Sequence, residues 1–154
     1  MNRFKLVSVA LLVLSLNATL YAGSKTSEAL IAQAKKEVKA ISPQALKKKI
    51  DNEDDVWMLD IREPYMIPEG SIEGMENIEI ARGLLEFNLE AEIKDKNAFI
   101  VVYCRSGKGA ALATKMIQDD LHYKNVVFLT GGLNDWLEAG YSIYSSFGEM
   151  KLAK

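Results

Sequence analysis

The sequence holds a single cysteine and a single histidine in 154 residues. One cysteine excludes a disulfide framework within the chain. One cysteine and one histidine are also too few for a zinc site of the Cys/His kind, so no metal is expected. No internal repeat and no low-complexity tract appears. Hydrophobic residues make up 49% and charged residues 26%, so the apolar poverty of a disordered chain is absent too. There is no excess of positive charge, the formal net charge being −2, and nucleic acid is not an expected partner. What remains is enough chain for one domain with a real core and too little for two of ordinary size.

Long apolar runs are scarce as well. The longest, "LVSVALLVLSL" at 6–16, follows Arg3 and Lys5 and leads through "NATLYA" to Ala22. It falls short of the roughly 20 residues that span a bilayer. Its layout is that of a secretory signal peptide. The expectation is cleavage after Ala22, export to a periplasm or otherwise out of the cell, and no stable membrane insertion afterwards; an uncleaved anchor is the alternative. Removing 1–22 takes away Arg3 and Lys5 and no acidic residue, leaving 17 basic against 21 acidic residues, net −4. The expected organisation is a signal peptide over 1–22, a helical extension over 23–37, one globular domain over 38–148 and a tail over 149–154. In an exported chain a leftover cysteine is a bridge to another molecule, a reactive thiol or an inert core residue.

Periodicity orders the rest. Residues 24–40 predict an amphipathic helix with Leu30, Ile31, Ala34 and Val38 on one face, ending in a short edge strand. "SPQALKKKIDN" starts a helix with Ser42 as cap, Pro43 in first position and Ala45, Leu46 and Ile50 inward. "VWMLDI" (56–61), "IEI" (78–80), "AFIVVYC" (98–104) and "NVVFL" (125–129) predict strands. Between them, "ARGLLEFNLEAEI" and "GAALATKMIQDDL" predict helices, the second with Ala111, Leu112, Met116 and Ile117 inward. "TGGLNDWLEAG" predicts a turn, a short helix and a glycine stop. Strands alternating with helices imply an α/β fold, a mostly parallel central sheet flanked by helices on both faces. Ligands bind such sheets at the carboxyl ends of the strands, where Asp60, Cys104 and the Thr130–Gly132 turn fall.

"VVYCRSGKGAAL" (101–112) delivers the lone thiol into a short glycine-containing loop before a helix. Glycines let successive N–H groups turn inward as an anion-binding nest, and the helix adds its N-terminal N–H groups and dipole. Arg105 and Lys108 add full charge. All these terms favour a thiolate, the nucleophilic form, at Cys104. The same cradle would hold an anionic substrate or an anionic sulfur carried on the cysteine. A phosphatase built this way needs an arginine six positions after the cysteine to clamp the phosphoryl group; Ala110 stands there, and Tyr103 replaces the histidine common before it.

Four stretches, in order and at normal spacing, resemble a single-domain rhodanese, a sulfurtransferase: "LDIREPYMIPEGSIEGMENI", "VVYCRSGKGAALA", "VVFLTGGLNDW" and "AGYSI". The resemblance runs over roughly residues 38–144. It implies a rhodanese-like fold and a Cys104 that attacks the outer sulfur of a small sulfur-containing anion such as thiosulfate. Sulfite would leave, and a thiol (a protein thiol included) or cyanide would take the sulfur from the Cys104 persulfide. Backbone N–H groups of Arg105, Ser106, Gly107, Lys108 and Gly109 would stabilise the charged sulfur and bind the donor, with no cofactor. Asp60 and Arg62 would support the loop as an ion pair. Two departures stand out: Gly109 where the family often has arginine, and Ser71 where Gly-His-Ile is usual. A carrier module passing sulfur to a partner protein and a thiol redox module are the alternatives. His122 and the Lys47–Lys49 run read as surface, Met66, Met75, Met116 and Trp136 as packing, and Tyr65 with its loop as the mouth of a pocket.

Overall fold

The computed structural model describes residues 26–74 and 76–152. The expected signal peptide and Met75 lie outside the described residues.

Residues 26–37 form helix α1, from which the chain enters strand β1 (Ala40–Ile41). Helix α2 (Pro43–Asp51) starts as its sequence dictates, the Ser42 hydroxyl accepting the Ala45 N–H at 3.2 Å and Pro43 in the first turn. Its inward residues are Pro43 and Leu46, with Ile50 half-buried; Ala45, expected inward, is exposed. The helix is rotated so that the proline ring packs. Strand β2 (Trp57–Asp60) leads into a 3-10 segment, Pro64–Glu69, then β3 (Glu76–Glu79). A 3-10 turn (Arg82–Leu84) opens helix α3 (Leu85–Glu92). Then come β4 (Phe99–Tyr103), α4 (Lys108–Asp119), β5 (Asn125–Leu129) and α5 (Gly132–Glu138). The chain closes with a hairpin, β6 (Ile143–Ser145) against β7 (Gly148–Met150). That hairpin runs across the boundary between residues 148 and 149, where the tail was expected to begin.

The five-stranded sheet has the order β1-β5-β4-β2-β3 and every pairing in it is parallel. Parallel strands in the middle are covered on both faces, which is why β4 and β5 read as unbroken apolar runs. Their side chains alternate between two cores. Leu59, Ile100, Val102, Val126 and Phe128 meet α1, α3 and α4 on one side. Met58, Val101, Tyr103, Val127 and Leu129 meet α2 and α5 on the other, where Leu46 and Trp136 pack. Strand β3 is the exposed edge, and Glu76 and Glu79 on it discourage pairing with another chain. Among the described residues no helix is long and apolar enough to cross a membrane.

Candidate active site

The carboxyl ends of β2, β4 and β5 bring Asp60, Cys104 and the Thr130–Gly132 turn to one edge of the sheet. Tyr103 and Cys104 are consecutive there, so they open on opposite faces. Tyr103 belongs to the α2/α5 core, whereas Cys104, partly exposed and unpaired, packs against the α1/α3/α4 core.

The Cys104 loop is shaped by backbone. N–H groups at the start of α5 donate to its carbonyls, Leu133 to Cys104 at 2.9 Å and Asn134 to Arg105 at 3.0 Å. A trans peptide points its N–H opposite to its C=O, so the N–H groups of Arg105 and Ser106 are turned away from α5. Gly107 then caps α4 in the left-handed region, φ 73°. The contact with the Gly131–Gly132 turn has no room for a side chain. A Cβ on Gly132, itself at φ +61°, would lie 2.2 Å from the Cys104 carbonyl oxygen and 2.6 Å from the Gly107 nitrogen. Among the described residues, the N–H groups of Arg105 to Ala110 donate to no protein acceptor. Unpaired donors on a loop that also opens a helix are what an anion-binding nest of the expected kind requires. Gly109 stands over the thiol, a Cβ there falling 3.7 Å from Cys104 Sγ and 3.9 Å from Ile61 Cδ1.

The two loop cations differ. Arg105, exposed, is ion-paired with Glu69 at the end of the 3-10 segment after β2. Lys108 is exposed and makes no ion pair among the described residues. Ser106 is exposed as well. Sequence reading missed Glu69, since nothing local marks one glutamate in a polar loop as the partner of an arginine 36 residues away.

Asp60 and Arg62 form the ion pair their sequence position suggested, and both are buried. Arg62 Nη2 donates to Asp60 Oδ2 at 2.6 Å and Nε to both carboxylate oxygens at 3.0 Å. Arg62 Nη2 also donates to the Gly70 carbonyl at 2.8 Å and to Ser71 Oγ at 3.2 Å. Thus the pair ties the 64–71 loop to the sheet. Burial pulls the Arg62 guanidinium down, but the hydrogen bonds and charge of Asp60, helped by Tyr103 and Glu69, outweigh it and raise its pKa. Burial, then the Asp60 charge, push the Tyr103 phenol well above the usual tyrosine range. The Tyr103 hydroxyl accepts the Ile72 N–H at 3.2 Å.

This second cluster borders a cavity of about 590 Å³ that includes Asp60, Arg62, Ser71 and Tyr103 but not Cys104. The Pro64–Glu69 segment contributes Pro64, Ile67 and Pro68 to its wall; Tyr65, expected at a pocket mouth, points to solvent at 76% exposure. The remaining packing expectations are met by Trp136, buried with its indole N–H on the Ser142 carbonyl at 2.8 Å, and by Met116 against the α4 core. Met66 is half-buried, and His122 is exposed in a left-handed turn beyond α4. The Lys47–Lys49 run lies at the surface, with Lys47 paired to Asp51 and Lys49 to Asp54. Ala110, at the position of a phosphatase's arginine, is buried in the α4 core.

Known proteins are similar to this chain in sequence and in fold. The chain is 33% identical over 100 residues to YtwF of Bacillus subtilis (strain 168), named as a candidate sulfurtransferase, across 65% of this chain and 91% of that protein. Among solved structures it is similar to the polysulfide-sulfur transferase homodimer of Wolinella succinogenes, with a TM-score of 0.66 and 25% identity over 84% of this chain and 90% of that one. It is also similar to a Rhodopseudomonas palustris CGA009 protein of unknown function described as a possible tyrosine phosphatase, with a TM-score of 0.67 and 28% identity over 76% of this chain and 92% of that one. The match to the rhodanese-like domain over residues 42–139 takes in strands β2 to β5, the Cys104 loop and the turn that holds it: this chain belongs to the rhodanese-like family.

Proposed function

We propose that this protein is a sulfurtransferase that carries sulfane sulfur on Cys104. The observation that carries the reading is the unpaired run of N–H groups from Arg105 to Ala110 around a partly exposed thiol. In the first half-reaction the Cys104 thiolate attacks the outer sulfur of a donor such as thiosulfate. A new S–S bond forms, the donor's own S–S bond breaks, and its electron pair leaves with sulfite. In the second, a thiol or cyanide attacks the outer sulfur of the persulfide and Cys104 leaves as thiolate. The N–H groups stabilise that negative sulfur in both directions. No group beyond donor and acceptor is consumed, so the cycle needs no cofactor. Similarity to the Wolinella polysulfide-sulfur transferase supports a sulfane donor in general and leaves the donor itself to experiment. Ala110 tells against phosphoryl transfer, because no guanidinium stands where the phosphoryl oxygens would need one.

Export belongs to the same proposal, supported by Arg3, Lys5 and the apolar 6–16 run. A mature N-terminus at Gly23 on the exported protein is the expected result, and a chain retaining 1–22 overturns it.

Intact mass spectrometry of the reduced protein, before and after thiosulfate, tests the chemistry. The expected result is a gain of about 32 Da, one sulfur atom, reversed by cyanide and absent from Cys104→Ser. A folded protein with a free thiol that gains no sulfur from thiosulfate or another sulfane donor overturns the reading.

A further inference from the structure

The cation that follows the nucleophile in the chain is not free. Arg105 follows Cys104 directly, yet its guanidinium is paired with Glu69. Glu69 is placed by the 3-10 segment Pro64–Glu69. Arg62 holds that segment from below, donating to the Met66 carbonyl at 3.4 Å and to the Gly70 carbonyl at 2.8 Å. Arg62 is itself fixed by buried Asp60. A buried ion pair therefore sets a loop, and the loop sets an acidic group against the active-loop arginine. Of the two cations expected to attract a small dianion, only Lys108 makes no ion pair among the described residues.

We propose that Glu69 is a positioning residue that sets charge specificity: by engaging Arg105 it makes the Cys104 loop disfavour doubly charged sulfur donors relative to singly charged ones. The proposal rests on the sulfur-transfer reading and deepens it. In the sulfur-transfer reading the donor is held by the unpaired N–H groups of 105–110 and the loop cations, and its attraction to them scales with its charge. A paired guanidinium presents a smaller field to a bound anion than a free one. The penalty is therefore larger for a dianion such as thiosulfate than for a monoanion carrying the same kind of transferable sulfur. The donor class favoured is an organic sulfane anion bearing one negative charge.

The test compares thiosulfate with methanethiosulfonate, which presents an outer sulfur on a sulfonyl sulfur but carries one charge. Glu69→Gln alters only exposed atoms. It is expected to raise kcat/KM for thiosulfate about fourfold and for methanethiosulfonate about twofold, since the Coulomb factor for a dianion is the square of that for a monoanion. The change falls in KM, with kcat held, and shrinks as salt is added. In an Arg105→Gln background the gain falls by at least half, because Glu69 acts through that arginine. Equal gains for both donors, no gain, or a gain indifferent to Arg105 would overturn the proposal. Thiosulfate binding to Cys104→Ser, with and without Glu69→Gln, separates the two failures. If Cys104 never takes sulfur, the sulfur-transfer reading falls, yet tighter binding in Glu69→Gln still supports the charge filter. Unchanged binding removes the filter whatever the chemistry.

Discussion

Tyr103 and Cys104 are neighbours in the chain and open onto opposite faces of one sheet, into surroundings built by different means. On the Cys104 side the work is done by backbone: carbonyls held by the start of α5, N–H groups left open, and a Gly–Gly turn pressed against the loop. On the Tyr103 side it is done by buried side chains, an Asp60–Arg62 pair whose hydrogen bonds reach Gly70 and Ser71. The backbone side leaves N–H groups without a protein acceptor. The side-chain side pairs its own polar groups with one another and buries them. The site is thus a thiol-bearing loop beside a loop fixed by buried side chains, the two meeting at the Arg105–Glu69 pair.

Breaking the buried pair should have the largest effect. Asp60→Ala strands the Arg62 charge in the interior and is expected to lower stability by about 3–5 kcal/mol in urea denaturation. A loss under 1 kcal/mol would mean that the pair does not hold the 64–71 loop. On the opposite face two glycines of one assembly should behave differently. Gly132→Ala drives a Cβ into the Cys104 carbonyl, where only backbone can give way, and also pays for φ +61°. The expected cost is about 3 kcal/mol, with slower sulfur loading because the loop itself must shift. Gly109 lies in α4 with ordinary contact distances around its would-be Cβ. Gly109→Ala should leave stability unchanged or raise it by up to about 1 kcal/mol, altering only the access to Cys104. Equal losses at the two glycines would deny that the loop is held by close backbone approach.

How far these surroundings were legible in the sequence follows the same division. The backbone side was readable, because a strand, glycines and a helix start are local signals: "VVYCRSGKGAAL" and "LTGGLNDW" announce the loop and its brace. The Asp60–Arg62 pair was readable in part, its two residues lying two apart at a strand end. The Glu69–Arg105 pair was not, since it joins exposed side chains of separate loops and leaves no periodic trace. The same holds for the β6–β7 hairpin. "YSIYSSFGEM" has a weak alternation, and its place is fixed instead by the bridge between Ser71 and Tyr144. Even the inward face of α2 depended on the sheet below it, which takes Pro43 and leaves Ala45 outside.

The smallest effect sharpens the contrast through pH. Burial first, and the Asp60 charge second, hold the Tyr103 phenol protonated well beyond the usual tyrosine range. In the unfolded chain it ionises near about 10. Above that pH the unfolded state sheds a proton that the folded state keeps, so the unfolded state binds fewer protons and stability falls as pH rises. The contribution is full below about pH 10 and is lost above it at up to roughly 1.4 kcal/mol per pH unit. Tyr103→Phe removes the phenol and with it the acceptor for the buried Ile72 N–H. The variant should be less stable than the parent by about 1–2 kcal/mol at pH 8. By pH 11 that gap should close or reverse, because only the parent has a proton to lose on unfolding. Urea denaturation of both proteins at pH 8, 10 and 11 measures this directly. A gap that stays constant would mean that Tyr103 titrates alike in both states and that its face of the sheet is wetter than the burial of Asp60, Arg62 and Tyr103 describes.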